Sequence, residues 1–203
     1  MLRAFPLLVL ALLAPLASAC GGSGGARAAP SRPSAFRGIE VTDRRSAPDF
    51  TLRDQDGRLV RLAEERGRVV LVTFLYSHCT DVCPLIAENL NAALRELGPG
   101  RRDVRVLAVS VDPAGDTPAA VRSYVRVHRL LPEFRYLMGS RRELRPVWRA
   151  WHVSAVARDP ELVDHTAYTA LLDRGGRERA IYDARVRAGD VAHDVRLLLS
   201  ATT

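Results

Sequence analysis

Val69-Val-Leu-Val-Thr-Phe-Leu-Tyr-Ser-His-Cys-Thr-Asp-Val-Cys-Pro84 is the stretch that decides the architecture. Its first seven residues, Val69 to Leu75, form an apolar run of strand length, the pattern of a central strand covered on both faces. After it, Leu85, Ile86, Leu90, Ala93, Leu94 and Leu97 recur at helical spacing until Gly98-Pro-Gly100 stops them. Cys79 and Cys83 stand between strand and helix. On a helix, positions i and i+4 share one face, so both sulfurs can point in one direction, to one metal ion or to each other. A helix N-terminus also favours negative charge. It lowers thiol pKa values and populates the thiolates that soft-metal binding and disulfide exchange both need.

Outward from this junction, strands and helices alternate. Phe50 to Leu52 and Leu59 to Leu62 flank Asp54-Gln-Asp-Gly57, a turn between two short strands. Val104 to Val111 reads as a second central strand. Asp116-Thr-Pro118 reads as a cap with proline in the first turn of a helix that runs to about His128. Residues 141–151 read as another helix and residues 189–199 as a last one. Thr166 to Leu172 and Arg179 to Tyr182 form a hairpin around Asp173-Arg-Gly-Gly176. A parallel core pair joined by a crossover helix and followed by an antiparallel hairpin is the thioredoxin-like order. The expected fold class is therefore α/β, with a central mixed sheet flanked by helices.

The third cysteine, Cys20, belongs to a different segment. Residues 4–19 follow Arg3, carry no charge and end in small residues directly before Cys20, which makes residues 1–19 an export signal. The apolar stretch is shorter than the roughly 20 residues that a membrane-spanning helix needs, and Pro6 and Pro15 interrupt it. Leu16-Ala-Ser-Ala-Cys20 resembles a bacterial lipobox, whose cysteine is lipidated and becomes the new N-terminus, although Ala17 stands where leucine is commoner. Ordinary cleavage after Ala19, leaving a soluble exported protein, is the alternative. Residues 20–46, rich in Gly, Ser, Ala, Pro and Arg, read as the lipidated cysteine and a flexible tether. Residues 47–203 are the size of one domain and long enough to bury a substantial core. The expected location is the cell envelope, with the domain anchored by lipid to the outward, periplasmic side of the cytoplasmic membrane.

The formal net charge is +7, and +6 once residues 1–19 are removed, because Arg3 is the one charge among them. All 30 basic residues are arginine. They are scattered among acids with no aromatic-interleaved stripe, which argues against nucleic-acid binding. Attraction to an anionic membrane surface is compatible with the charge.

Four segments, in order, resemble the Sco/SenC family of copper-binding proteins that assist assembly of cytochrome c oxidase. Asp49-Phe-Thr-Leu-Arg-Asp-Gln-Asp-Gly57 resembles that family's first hairpin, and Phe74 to Pro84 its Cys-x-x-x-Cys-Pro motif. Ser110-Val-Asp-Pro-Ala-Gly-Asp-Thr-Pro118 matches its Ser-Val-Asp-Pro and Asp-Thr-Pro segment, and Val163 to Asp173 resembles its histidine-bearing strand. Two departures stand out. Thr80 replaces the usual proline after the first cysteine, and the span from Trp151 to Asp164 is shortened. The resemblance implies a copper metallochaperone with Cys79, Cys83 and His165 as ligands, and the dinuclear copper centre of cytochrome c oxidase subunit two as acceptor. The donor chemistry agrees, since copper(I) takes two or three ligands dominated by thiolate and copper(II) accepts imidazole beside sulfur. Such a site is expected to be exposed at the strand–helix junction, with His165 opening the strand that continues to Leu172.

Other candidates have plainer explanations. His78 adjoins Cys79, but adjacent residues seldom point at one small ion, so it reads as a loop residue. His128, His152 and His193 read as structural or surface residues, and Trp148, Trp151 and Met138 as core. Asp112 ends a strand and Asp116 with Thr117 can cap the following helix, with partner docking or tuning of the ligands as the alternative. Asp164 alternates to the face opposite His165. A second functional reading is an envelope thiol-disulfide reductase acting through Cys79 and Cys83, and a third is a copper or redox sensor. Thiol-disulfide oxidoreductases usually have two residues between their cysteines and a facing cis-proline. This chain has three between, and no proline from Glu161 to Leu172. A peroxidase reading rests on Thr80-Asp-Val-Cys83, but Tyr76 stands where that motif places proline.

Overall fold

In the computed structural model, residues 35–157, 163–165 and 167–201 are described, those at 155–157 and 163–165 by their backbone alone. The export signal and Cys20 lie outside the described residues. The unit from Ser34 to Thr203 is compact and carries its own hydrophobic core. Its strands are β1 (Ile39–Glu40), β2 (Thr51–Asp54), β3 (Leu59–Arg61), β4 (Val69–Leu75), β5 (Val104–Ser110), β6 (Phe134–Met138), β7 (Ala155–Ala157), β8 (Val163–His165), β9 (Thr169–Leu172) and β10 (Glu178–Tyr182). Its helices are α1 (Val82–Glu96), α2 (Pro118–Val127), α3 (Arg141–Ala150) and α4 (Ala188–Ser200). Eight strands make one mixed sheet in the order β1-β10-β9-β4-β5-β6-β2-β3, while β7 and β8 pair with each other.

β4 is the spine of the sheet. All seven of its residues are buried, and because successive side chains face opposite sides, both faces of the sheet must be covered at this strand. The one polar side chain in it, Thr73, has its hydroxyl satisfied, donating to Tyr168 O at 3.2 Å and accepting from the Thr169 hydroxyl at 3.1 Å. β5 lies parallel to β4 from Val69↔Val104 to Leu75↔Ser110, and β6 lies parallel to β5. Helix α1 is the crossover between the first two. Its buried stripe of Cys83, Ile86, Ala87, Leu90 and Leu94 follows helical spacing, and Gly98 at φ +55° ends it in the left-handed conformation that glycine takes without strain. Buried Asn91 ties this helix to the loop before β6, donating to Arg129 O and accepting from Leu131 N.

Several expectations shift. β6 has no counterpart in the sequence reading, because Pro132 and Arg135 break its apolar pattern; Arg135 is accommodated by an ion pair with the buried Asp54 carboxylate at 3.0 Å. His165 does not open the strand that runs to Leu172. It closes β8, which pairs with β7, whereas β9 starts at Thr169 and pairs with β4 and β10. One stretch of sequence thus serves two sheets, which strand periodicity cannot show.

The domain also begins earlier than composition suggests. Residues 35–46, read as tether, are packed against the domain. β1 pairs with β10, Ser46 bridges to Arg177, and Phe36 is buried with the Arg179 guanidinium 5.2 Å from its ring centre. The anchor is Asp194 on α4, fully buried, whose carboxylate accepts the Arg37 and Gly38 backbone N–H groups and the Tyr182 hydroxyl at 2.8–3.0 Å. Gly38 is required there, since a Cβ would stand 2.7 Å from the Tyr182 ring. No glycine-rich or charge-rich composition predicts such a strap, because it is held by a residue more than 150 positions away. Asp194→Ala leaves these donors without an acceptor and is expected to cost about 3 kcal/mol. It should also open the strap to trypsin at Arg37, Arg44 and Arg45, as read by denaturant unfolding and limited proteolysis; unchanged cleavage would show that the β1–β10 pairing and Phe36 hold the segment without Asp194.

Candidate metal centre

Cys79 lies in the loop after β4, and Cys83 is the second residue of α1. The chain reverses tightly on leaving the sheet, with Cys79 N–H donating to Tyr76 O at 3.3 Å. The first N–H groups of a helix have no partner within it, and the N-cap residue Asp81 supplies no side-chain bond. The Cys79 sulfur does, accepting the Cys83 N–H at 3.4 Å. The two sulfurs meet although Cys79 is not helical. It is the folded-back loop, rather than a shared helical face, that brings them together.

The pair is less exposed than expected. Cys83 is 0% accessible and Cys79 9%. Cys83 occupies the same helical stripe as Ile86, Ala87 and Leu90, so the periodicity that builds the core also buries this sulfur. Access from solvent therefore runs through Cys79. Both cysteines are reduced.

The two thiols are electrostatically unequal. A hydrogen bond from the Cys83 thiol is the main cause that brings Cys79 down to about 5; burial opposes it, and the Asp81 and Cys83 backbone N–H groups and the Tyr76 hydroxyl assist it. The same hydrogen bond, followed by burial, pushes Cys83 far above the ordinary thiol range. The shared hydrogen bond favours the thiolate at Cys79 and the protonated thiol at Cys83.

Asp116 fixes this loop to the sheet. Its buried carboxylate accepts Ser77 N–H at 2.8 Å on one oxygen, and the Ser110 hydroxyl at 2.5 Å and Tyr136 hydroxyl at 3.1 Å on the other. Burial raises its pKa against the pull of these donors. Of the two residues expected to cap the helix, Thr117 does so, accepting the Ala120 N–H, while Asp116 is turned inward and joins the end of β5 and the middle of β6 to the residue two before Cys79. Asp112 accepts the Ala114 N–H. A Cβ on Gly115 would collide with the Asp112 carboxylate and stand 2.9 Å from His78 Nδ1, so only glycine lets this loop approach.

A tyrosine completes the surroundings. Tyr124, on the buried face of α2 with Val121, packs with its ring centre 4.3 Å from that of His128 and meets Tyr136 edge-to-face at 5.7 Å. Its hydroxyl is buried and has no hydrogen-bond partner among the described residues. An unmatched buried hydroxyl costs about 1–3 kcal/mol. Burial first, then the charges of Cys83 and Cys79, raise its pKa well above the ordinary tyrosine range.

The structure thus joins Cys79 with Cys83. His165 is described by its backbone in β8, across from Ala155 and three residues short of β9. Among the described residues no group of three His, Cys, Asp and Glu side chains is placed to hold a metal ion, so neither His78 nor Asp112 completes a site with the sulfurs. His78 is exposed, 3.3 Å from the Ser77 hydroxyl. His128 pairs with Glu88, His193 adjoins Asp194, and His152 follows α3 at φ +55°. Trp148 and Trp151 are core, their indole N–H groups donating to Ser110 O and Pro48 O. Ser77, Tyr136 and Tyr124 were not singled out by sequence; 39 residues separate Ser77 from Asp116, and no local pattern links them. With Cys79 a thiolate above about pH 5, its alkylation by iodoacetamide is expected to be near its maximal rate at pH 7 and to fall through pH 5, while Cys83 resists. In Cys83→Ala the midpoint should move upward, because the main donor is gone; an unmoved midpoint would show that the backbone N–H groups suffice.

The sequence pattern of the SCO1/SenC family matches residues 40–200. A bovine relative, "Protein SCO2 homolog, mitochondrial", is 34% identical over 160 residues, covering 75% of this chain and 59% of the relative. The chain thus spans about three fifths of that relative's length. The solved structure of Bradyrhizobium japonicum ScoI with copper bound is similar at a TM-score of 0.68 and 30% identity, over 76% of this chain and 99% of that one. Apo Sco1 from Thermus thermophilus gives 0.68 and 32%, over 80% and 96%. The mixed sheet with flanking helices is therefore the thioredoxin-like fold of these proteins. With the family pattern running from β1 to the end of α4, and the reduced Cys79–Cys83 pair at its strand–helix junction, the chain belongs to the SCO1/SenC family.

Proposed function

We propose that this protein is a copper metallochaperone that carries its cargo on Cys79, Cys83 and His165 and assists maturation of the dinuclear copper centre of cytochrome c oxidase subunit two. The observation that carries the reading is the sulfur pair itself: two free cysteines brought together at the strand–helix junction, Cys79 accepting the Cys83 N–H at its sulfur and lying nearer the surface than the fully buried Cys83. Relatives with copper bound lend it support. Loading exchanges the Cys83 proton, released to solvent, for the copper ion. The sulfurs then bind cargo rather than each other's proton. Copper(I) is served by the two thiolates, and an imidazole such as that of His165 suits copper(II). Partial burial protects the bound ion, and the single approach past Cys79 is where an acceptor ligand would displace it.

A thiol-disulfide reductase is the second reading, favoured by the same inequality. A nucleophilic Cys79 thiolate attacks a target disulfide, forming a mixed disulfide and releasing one target thiolate. Cys83, after losing its proton, attacks Cys79 and releases the second target thiol. The target gains two electrons, Cys79 and Cys83 become a disulfide, and an external thiol reductant must restore them. A sensor built on the same sulfurs differs only in its partner.

The test is competition with chelators for copper(I) and copper(II), on reduced protein spanning residues 34–203. A fragment begun at Ala47 would lose the strap. One copper per domain is expected, weakened at least a hundredfold in Cys79→Ser and Cys83→Ser and, for copper(II), about tenfold or more in His165→Ala, a loss of about 1.4 kcal/mol or more. Weak binding indifferent to His165, with efficient reduction of a protein disulfide, would make the reductase the better reading.

The envelope placement is part of the same proposal: residues 1–19 direct export, and Cys20 carries the lipid that anchors the domain. No helix of the described residues is long and apolar enough to cross a membrane. In a bacterial host, Cys20→Ala is expected to abolish metabolic labelling with a fatty acid and to move the protein to the soluble fraction; undiminished labelling would exclude Cys20 as the anchor.

A further inference from the structure

We propose that the arginine-bearing face of α3, with the cleft at its N-terminal end, is the docking surface for an acidic protein partner that meets the loop carrying Cys79. Along the chain the arginines are scattered among acids, but α3 gathers Arg141, Arg142, Arg145 and Arg149, all exposed. At about 3.6 residues per turn these four fall within about 100° of the helix surface, to one side of the buried stripe of Leu144, Val147 and Trp148. Arg53 and Arg122 extend the row into a cleft of about 520 Å³, which reaches Ser140 at the start of α3 and is walled by Pro113, Asp116 and Thr117. None of the six guanidinium groups forms an ion pair among the described residues. Arg53 and Arg122 hydrogen-bond to carbonyl oxygens, of Gly57 and Gln55. The nearby carboxylates are committed elsewhere. Glu143 accepts the Ser140 N–H and hydroxyl, Asp54 pairs with Arg135, Asp116 is turned inward, and Asp56 reaches Arg58 at 3.8 Å. The arrangement opposes the stability of the helix itself. Arg141, Arg145 and Arg149 repel at four-residue spacing, and Arg141 and Arg142 stand in the first turn, where the helix dipole disfavours positive charge. An anionic partner relieves both.

Charge decides the kind of occupant. A second copy of this chain carries the same positive charge, +6 without residues 1–19, and residues 20–34 bring two arginines and no acid, so neither complements the face. Trp148 and Trp151 are core, which leaves no aromatic platform here for the bases of a single-stranded nucleic acid. Position decides between a protein and a lipid surface. The strap that joins the domain to residues 20–34 is fastened on Asp194 of α4. Tyr182 of β10 also reaches Asp194, and its neighbour Ile181 turns to the other face of the sheet, where it lines a groove with Trp151 and His152 at the end of α3. α3 therefore lies across the sheet from the attachment of the tether. The cleft at its N-terminus, by contrast, is walled by the same loop of residues 113–117 that holds Ser77 through Asp116 and brings Gly115 against His78, the residue before Cys79. A partner seated on the arginines has the Cys79 loop at its margin. Opposite charges so placed raise the rate of encounter and fix its orientation more than they deepen affinity. With Cys79 and Cys83 as the cargo ligands proposed above, a reading on which this inference rests, the partner is the protein that takes the ion from them.

The test uses residues 34–203 loaded with copper(I) and, as probe, the reduced, metal-free soluble domain of cytochrome c oxidase subunit two from the same organism. Two triple variants carry the same change in net charge. One is Arg142→Glu, Arg145→Glu and Arg149→Glu on α3. The other is Arg66→Glu, Arg102→Glu and Arg177→Glu, at exposed residues without an ion pair at the end of the sheet away from the sulfurs. The rate of copper transfer at low salt is expected to fall about tenfold or more in the α3 variant and less than about twofold in the other. Copper affinity by chelator competition should be unchanged in both, and metal-free stability of the α3 variant should hold or rise as the like charges go. Added salt should slow the native protein and hardly affect the α3 variant. Arg142→Gln, Arg145→Gln and Arg149→Gln together, which remove the charges without reversing them, should move the rate the same way by a smaller factor. Equal slowing in the two glutamate variants would show net charge alone at work, and equal rates in native and α3 variants would show an idle face; either overturns the inference and leaves copper binding intact. So does α3-dependent binding to vesicles of phosphatidylglycerol and phosphatidylethanolamine with transfer unchanged, which would make the occupant a membrane. A loaded native domain that passes nothing to the probe overturns the docking inference while its copper affinity stands. A native domain that holds no copper in competition overturns the copper reading, and this inference with it.

Discussion

The parallel register of β4 with β5 is the constraint on which the site depends. Leu75 lies opposite Ser110, so the loop carrying Cys79 and the loop carrying Asp112 to Thr117 leave the sheet side by side. Only this adjacency lets one carboxylate, Asp116, take a backbone N–H from the first loop, a hydroxyl from the end of β5 and another from β6. The loop is thereby fixed at Ser77, and its return at Cys79 sets the sulfur over the first turn of α1. Slipping the register by one residue would exchange the two faces of β4 and take the buried Thr73 hydroxyl away from Tyr168 O and the Thr169 hydroxyl that satisfy it. The hydrophobic spine and the sulfur geometry are consequences of one alignment.

Two buried carboxylates, Asp116 and Asp194, solve similar problems at different places. Each is surrounded by donors from segments distant in sequence, and each converts a flexible stretch into a fixed one. Asp194 fastens the N-terminal strap, so the domain proper starts before β1 and the free length of any tether is shorter than composition implies. Asp116 fastens the functional loop. Buried polar groups are costly unless matched, and here the matching gives each anchor its specificity for one arrangement.

The sulfur pair combines two requirements that pull in opposite directions. A helix stripe continuous with the core buries Cys83, which protects it and favours the protonated form; the bend at Cys79 leaves that sulfur near the surface, where donors favour the thiolate. Stable protection and access for exchange are thereby divided between two residues four apart.

The amino-acid sequence by itself determined the local elements around the site. The apolar run 69–75, the helical spacing from Ile86 to Leu94, the stop at Gly98, the hairpin turns and the two cysteines are all written in near-neighbour patterns, and each is found in the structure within a residue or two. The ordered segments also made the family legible. What only the tertiary structure decided are the pairings between distant residues. These include Asp116 turning inward while Thr117 caps α2, Arg135 surviving in a strand because Asp54 meets it, and residues 37–41 being held by α4 and β10 rather than trailing in solvent. They likewise include the separation of His165's strand from β9, and the burial that makes Cys83 unlike Cys79. The physical reason is common to all of them. Periodicity and turn chemistry act over a few residues of chain, whereas hydrogen-bond satisfaction and desolvation depend on which remote groups the fold brings within 3 Å, and no single segment encodes its partner.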